Sequence, residues 1–294
     1  MFNQLGVIGC GLMGGSFALA LKHAGLVHRV VGYSKSPSTT EKARKLGVID
    51  IVAESALLAV SGSDIVLIAV PVAATEATLR AIRDLVEPGV LVMDVGSTKR
   101  DVVDAAQRAL KERISSFVPA HPIAGKEEGG VGNADAALYN GRQVILTPLP
   151  STSPDLLQKA TDVWAAIGSQ VQRMTPEDHD AAFAAVSHLP HVLAFAYFNS
   201  VAGQQAGPGY LSLAGPGFRD FTRIAASDPR VWCDVLISNR EQVLKQAERF
   251  RRELQGLEDA LSRSDAEALT EQIRKASQAR AGWHMRGNPS GSNR

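Results

Sequence analysis

The chain has 294 residues, 45% of them hydrophobic and 21% charged, a globular composition that excludes wholesale disorder and collagen-like repeats. Lysine and arginine number 31 against 30 acids, so a formal charge of +1 gives no general electrostatic grip on nucleic acid or an anionic membrane. Cys10 and Cys233 alone build neither a disulfide framework nor a zinc site. At roughly 100–200 residues per domain the length implies two domains. The longest uninterrupted apolar stretch, Ile65 to Thr75, contains Pro71 and falls short of the ~20 residues of a membrane span. No basic leader precedes the first strand-like segment, and the expected location is cytoplasmic, with no nucleic-acid or membrane partner.

The first half alternates strand and helix patterns. Leu5–Gly9 reads as a strand, Gly14–Ala24 as a helix, Val27–Tyr33 as a strand and Thr39–Leu46 as a helix. Asp64–Val70 is a β-branched and aliphatic strand, followed by helix at Ala73–Leu85, strand at Gly89–Val95 and helix at Arg100–Arg113. Phe117–Ala120 and Gln143–Thr147 complete the series, and Gln170–Met174 is expected to join the same sheet. Strands apolar on both faces, alternating with helices, specify a doubly wound parallel sheet. From Thr175 the pattern is all-helical. Thr175-Pro176-Glu177 is a helix start, Pro190 is expected to kink or interrupt the helix it opens, and a long helix is expected over Pro229–Leu261. The resulting domains are 1–174 (α/β) and 175–286 (helical), with 287–294 a Gly/Ser/Asn-rich tail expected to be disordered.

Gly9-Cys10-Gly11-Leu12-Met13-Gly14 matches G-x-G-x-x-G between the first strand and first helix, the context in which the motif binds a dinucleotide. Gly9 permits the tight turn, Gly11 lets backbone approach a pyrophosphate, and Gly14 allows close helix–strand packing. The helix start, Leu12 and Met13 included, then presents free N–H groups to the phosphates. An NAD-selective site places a carboxylate after the second strand. Here Ser34, Lys35 and Ser36 stand there instead and the first acid is Glu41, which favours a 2′-phosphate and hence NADP, with NAD as the lesser option.

Ligands of open α/β sheets bind beyond the carboxyl ends of the strands, here Val70-Pro71, Asp94 to Lys99, and His121-Pro122. His121, mounted at a strand end between prolines 119 and 122, suits a general base for hydride removal from a carbon bearing a hydroxyl. Ser97 is expected either to orient that imidazole or the substrate hydroxyl, or to cap the helix beginning near Arg100. Ser187-His188-Leu189-Pro190-His191 offers two histidines three apart, with no third ligand at metal spacing, so no metal is expected and one of the two is expected to line an interdomain cleft. Arg219 and Arg223 follow a Gly/Pro turn and suit a carboxylate clamp, or else an exposed basic stripe in which Arg219 pairs with a nearby acid.

The blocks Gly9 to Ser16, Asp94 to Lys99, His121-Pro-Ile-Ala-Gly-Lys-Glu127, Val144 to Pro148, Ser187 to His191 and Phe218-Arg-Asp-Phe-Thr-Arg-Ile224 resemble the prephenate/arogenate dehydrogenases of tyrosine biosynthesis, over about residues 5 to 280. The resemblance implies a Rossmann-like domain followed by a helical dimerisation domain, hence a homodimer; no mutase segment is expected ahead of the first domain and no regulatory domain behind the second. It implies oxidative decarboxylation of a cyclohexadienyl substrate: hydride passes to nicotinamide, the ring carboxylate departs as CO2 and the ring aromatises. By that likeness His121 polarises the 4-hydroxyl, Ser97 orients the network and Arg223 grips a carboxylate. His191 and His188 share the pocket, Glu127 lies near the substrate side chain, and Lys126, a further substrate-binding candidate, precedes it at a position variable in the family. Two other readings compete. A β-hydroxyacid dehydrogenase would carry a lysine in the helix over Ala181–Asn199, where there is none. A non-catalytic redox sensor would need the glycine loop but not His121, Ser97 and Arg223 together.

Overall fold

A computed structural model describes residues 1–126 and 128–284. The expectations for Glu127 and for a tail at 287–294 lie outside these described residues. The α/β half is a six-stranded parallel sheet in the order β3-β2-β1-β4-β5-β6, built from Phe2–Ile8 (β1), Val27–Tyr33 (β2), Ile51–Val52 (β3), Ile65–Ile68 (β4), Leu91–Asp94 (β5) and Phe117–Val118 (β6). The order reverses between β1 and β4, which opens the crevice in which doubly wound folds bind ligands. The register aligns the strand ends: Ile8 pairs with Tyr33 and Ile68, and Ile68 with Asp94. The residues that follow these positions therefore gather along one edge.

Helices cover both faces, as the two-sided apolar strands require. Leu12–His23 (α1) and Pro154–Ala166 (α6) pack on one side, where the Phe17 and Trp164 rings lie 4.8 Å apart. Thr75–Ile82 (α4) and Arg100–Leu110 (α5) bury Leu79, Ile82, Val102, Ala106 and Leu110 on the other. Pro37–Lys45 (α2) and the short Ala56–Val60 (α3) flank β3. Neither β3 nor α3 is evident in the sequence pattern, both being too short to show a period.

Beyond shifts of a few residues at element ends, two expected elements are divided in the structure. The stretch Phe117–Ala120 is not one strand: Pro119 has no N–H for a ladder, and the chain there leaves the parallel sheet. It enters a second, three-stranded sheet of Ala120–Pro122 (β7), Gln143–Leu146 (β8) and Gln170–Arg173 (β9), in which β7 runs antiparallel and β9 parallel to β8. Gln143–Leu146 and Gln170–Arg173 therefore join this small sheet and not the large one. The helix expected over Pro229–Leu261 is broken at Asn239 into Pro229–Ser238 (α11) and Arg240–Ser262 (α12).

The remaining helices are Pro176–Phe183 (α7), Leu189–Ala202 (α8), Gly207–Ser212 (α9), Pro216–Thr222 (α10) and Ala266–Ala281 (α13). Pro190 does not break the helix it sits in. A π turn at Ala184–His188, closed by Leu189 N–H donating to the Ala184 carbonyl, joins α7 to α8 and takes up the disturbance. The run Pro176–Ala202 is by length and mean hydropathy apolar enough to cross a membrane. His179, Asp180 and His188 tie it into the domain through bonds to His121 and Asn239.

Candidate active site

The glycine loop has the geometry its sequence demands. Gly9 has φ +101°, and a Cβ there would stand 2.1 Å from the Ala69 carbonyl oxygen. A Cβ on Gly14 would meet the Gly9 oxygen at the same distance, so that position holds α1 against the β1 turn. A Cβ on Gly11 would meet nothing within 4 Å, and α1 begins there with no side chain capping its amides. Open space in front of uncapped N–H groups is what a pyrophosphate fills. Met13 is held by the Tyr139 hydroxyl, which donates to its carbonyl at 2.7 Å. Beyond β2, the Ser34 Oγ accepts the Cys10 N–H at 2.8 Å, while Lys35 and Ser36 are exposed. Half-buried Val70 and exposed Pro71 close the edge after β4. These residues fit a dinucleotide.

His121, on β7, is buried, and its Nδ1 lies 2.8 Å from His179 Nε2. His179 Nδ1 lies 2.8 Å from Asp180 Oδ1. The carboxylate end fixes the tautomers. Asp180 accepts from His179 Nδ1–H, which leaves His179 Nε2 as an acceptor for His121 Nδ1–H, and His121 Nε2 is then the nitrogen without a proton. Asp180 also accepts the N–H groups of Lys99 (2.8 Å) and Arg100 (3.0 Å) at the start of α5. It is therefore Asp180, from a distant helix, that caps α5. Ser97 does not, and among the described residues it has no hydrogen bond to His121.

Electrostatics keep this chain neutral on the histidines and charged on the acid. Burial, reinforced by His179, Lys99 and His188, holds the His121 imidazole well below the usual histidine range. Burial also lowers His179 against the opposing pull of Asp180. For Asp180 burial acts upward, but the hydrogen bonds from His179, Arg100 and Lys99 hold the carboxyl below its ordinary value.

A second group lines a cleft of about 740 Å3, which includes Lys126, Glu128, Asn133, His191, Arg223 and Trp232. His191 donates Nδ1–H to the Ser187 carbonyl at 2.9 Å and stacks on Trp232, with ring centroids 3.3 Å apart at 19°. Its Nε2 is thereby left for a ligand. His188 is corrected by the structure: it is buried behind the cleft, where Asn239 Nδ2 lies 3.1 Å from its Nδ1. On the helix, three positions rotate the two histidines about 60° apart, enough here to separate cleft from core. Burial lowers the His188 imidazole to about 4. Arg223, in the turn after α10, lines the cleft, whereas Arg219 is exposed and pairs with Asp220 at 3.1 Å, so the two arginines form no clamp. His121 itself is not part of the cleft lining; the chain reaches the cleft four residues later, at Gly125. Among the described residues no group of three potential ligands is placed to hold a metal. Sequence reasoning missed His179, Asp180, Trp232 and Asn239. The only signal for the first two was their place just inside the Thr175 helix start.

Comparison with known proteins follows this geometry closely. Residues 17–173 match the family model described as prephenate dehydrogenase, nucleotide-binding domain, and residues 175–275 that described as prephenate dehydrogenase, dimerization domain. The chain belongs to the prephenate dehydrogenase family. A cyclohexadienyl dehydrogenase of Zymomonas mobilis is 34% identical over 95% of this chain and 96% of its own. A prephenate dehydrogenase of Bacillus subtilis is 35% identical over 97% of this chain and 77% of its own. Among solved structures, the prephenate dehydrogenase of Aquifex aeolicus in complex with hydroxyphenyl propionate and NAD+ superposes with a TM-score of 0.88, at 36% identity over 96% of this chain and 98% of its own. A 3-hydroxyisobutyrate dehydrogenase of Mycobacterium tuberculosis, at 13% identity and a TM-score of 0.57, shares the fold alone. Like the other dehydrogenases of its family, this prephenate dehydrogenase family member is built for a nicotinamide dinucleotide.

Proposed function

We propose that this protein oxidatively decarboxylates prephenate, arogenate or both, with NADP preferred over NAD, as a cytoplasmic homodimer in tyrosine biosynthesis. The observation that carries the substrate reading is the cleft, where Arg223 and Lys126, the latter paired with Asp135 at 3.1 Å, stand beside the His191–Trp232 stack. A substrate with one carboxylate on a cyclohexadienyl ring and another on its side chain needs cations for the acid groups and an aromatic surface for the ring.

A bound nicotinamide dinucleotide supplies the hydride acceptor. Everything else belongs to the chain. His121 Nε2 accepts the hydrogen bond of the ring hydroxyl and takes on its proton as the carbon–hydrogen bond breaks. The ring carboxylate then leaves as CO2, its bonding pair enters the ring, and the proton returns from His121 to the oxygen of the new phenol. No net proton is released, so His121 only lends basicity, and an imidazole held well below its usual range gives the proton back readily. His179 and Asp180 set its tautomer and share the transient charge. Arg223 and Lys126 hold carboxylates, and His191 Nε2 orients the bound ring. Because aromatisation drives the reaction, positioning and polarisation suffice. The NADP preference rests on the Ser34-Lys35-Ser36 turn with no acid before Glu41. Dimerisation is supported by an apolar groove of about 690 Å3 between α8, α10 and α12, lined by Leu193, Tyr197, Phe218, Phe221, Phe250 and Leu254.

Nicotinamide reduction by the purified protein, with prephenate and arogenate each crossed with NADP and NAD, tests the proposal. Turnover is expected with prephenate and fastest with NADP. A folded protein that binds dinucleotide but is silent in all four combinations would return the choice to a hydroxyacid dehydrogenase or a redox sensor.

A further inference from the structure

Lys99 is fully buried and has no place in the chemistry above. Its ammonium donates to Asp94 Oδ2 at 2.5 Å and to the Ala120 carbonyl at 2.7 Å. The other carboxylate oxygen, Asp94 Oδ1, accepts the Ala120 N–H at 3.0 Å. One ion pair thus holds both polar groups of Ala120, the residue next to His121. The Lys99 backbone N–H meanwhile donates to Asp180 Oδ1, the oxygen that also faces His179.

The place of this pair in the fold gives it a purpose. Pairing between β5 and β6 ends at Met93 and Val118. Pro119 turns the chain out of the parallel sheet, and β7 bonds to β8 in the other sheet. No ladder therefore fixes β7 against β5, and the Asp94–Lys99 pair makes the two bonds a ladder would have made. Stability alone does not account for it, since replacing a buried ion pair with apolar residues of similar volume is often neutral or stabilising.

We propose that the buried Asp94–Lys99 pair is a positioning device for His121, gripping the Ala120 peptide where the chain crosses between the two sheets so that the imidazole stays in line between His179 and the substrate. The inference rests on the reading of His121 given above. Lys99 and Asp94 are positioning residues, acting through Ala120.

The test compares wild type with Asp94→Leu/Lys99→Met, which removes both charges together. The double variant is expected to keep dinucleotide affinity within about threefold and the prephenate KM within about threefold. Its kcat is expected to fall roughly 10- to 100-fold, the scale of effect that a displacement near 1 Å produces. A kcat within twofold of wild type overturns the proposal, as does a loss of dinucleotide binding as large as the loss of kcat. If the double variant does not fold, the same split is read on Asp94→Asn/Lys99→Met, whose Oδ1 still accepts the Ala120 N–H. Failure of that variant to fold makes the pair a stabilising one and overturns the proposal. Should wild type itself be inactive with prephenate and arogenate, the assigned reaction fails instead. Positioning is then read from the downfield proton resonance of the His121–His179 N–H, expected to shift or broaden in the double variant; an unchanged resonance overturns the proposal.

Discussion

At the scale of single residues, the site depends on which nitrogen of each histidine carries a proton. Asp180 sets His179, His179 sets His121, and the two 2.8 Å separations leave no alternative tautomer that satisfies all three groups with the acid ionised. His191 is set separately, by the Ser187 carbonyl. His179→Gln is a discriminating change, because the amide oxygen can still accept from His121 Nδ1–H while the link to Asp180 is broken. We expect kcat for prephenate to fall about 10-fold with KM nearly unchanged, and His179→Leu, which offers no acceptor, to fall about 100-fold or more, within the range seen when a base loses its orienting partner. Steady-state kinetics of the two variants at one pH checks this. Equal kcat values for Gln and Leu would show that His179 fills space and does not orient His121.

At the scale of elements, α7 carries His179 and Asp180 into the site, and its start is defined by its own sequence. Thr175 Oγ1 accepts the Asp178 N–H at 3.1 Å, and Pro176 occupies the first turn, where its missing N–H costs nothing. Thr175→Ala should therefore lower stability by about 1 kcal/mol, and Thr175→Asn, which retains a capping oxygen, by much less. Urea unfolding of the three proteins decides the point; equal losses for both variants would remove the cap from the account. The same helix shows what was legible in the chain and what was not. Its start, the glycine loop and the alternation of strands with helices each follow from residues close together in sequence. The break at Pro119 is not legible because Phe117–Ala120 is apolar throughout, and only the long-range pairing of β7 with β8 reveals that the chain changes sheets. The break at Asn239 lies between two helix-forming stretches, and its cause is tertiary: Asn239 Nδ2 donates to the Asp180 carbonyl at 2.8 Å. His179 and Asp180 read as ordinary polar residues of a first helical turn until α7 is docked on the start of α5. His191 and Arg223 were legible as site candidates because their blocks are distinctive, but the separation of His188 from His191 depends on the packing of α12.

At the scale of the whole molecule, the two halves meet across polar groups that exclude water. His121 comes from the small sheet, Lys99 and Arg100 from the start of α5, His179 and Asp180 from α7, His188 from the π turn and Asn239 from the α11–α12 junction. Asp234 of α11 adds a link near the cofactor edge, accepting the Ala73 N–H at 3.3 Å. Such a junction is sensitive to acid, and the sign follows from linkage. An unfolded chain protonates His188 below about pH 6.5, but burial lowers the native imidazole to about 4, so between these values the unfolded state binds more protons and stability falls as the pH falls. The stabilisation is complete above the unfolded pKa. By pH 5 His188 alone should have cost about 2 kcal/mol, and His121 and His179, lowered in the same direction, add to the loss. Asp180 works with the same sign but only at lower pH, since its carboxyl must first be protonated in the unfolded chain near pH 4. Urea unfolding at pH 7 and pH 5 should therefore show a drop of several kcal/mol for wild type. His188→Gln, less stable at pH 7, should lose about 2 kcal/mol less between the two pH values. An equal pH-dependent loss in the variant would mean that His188 takes its proton without leaving the folded state, and that the junction opens to water well before the molecule unfolds.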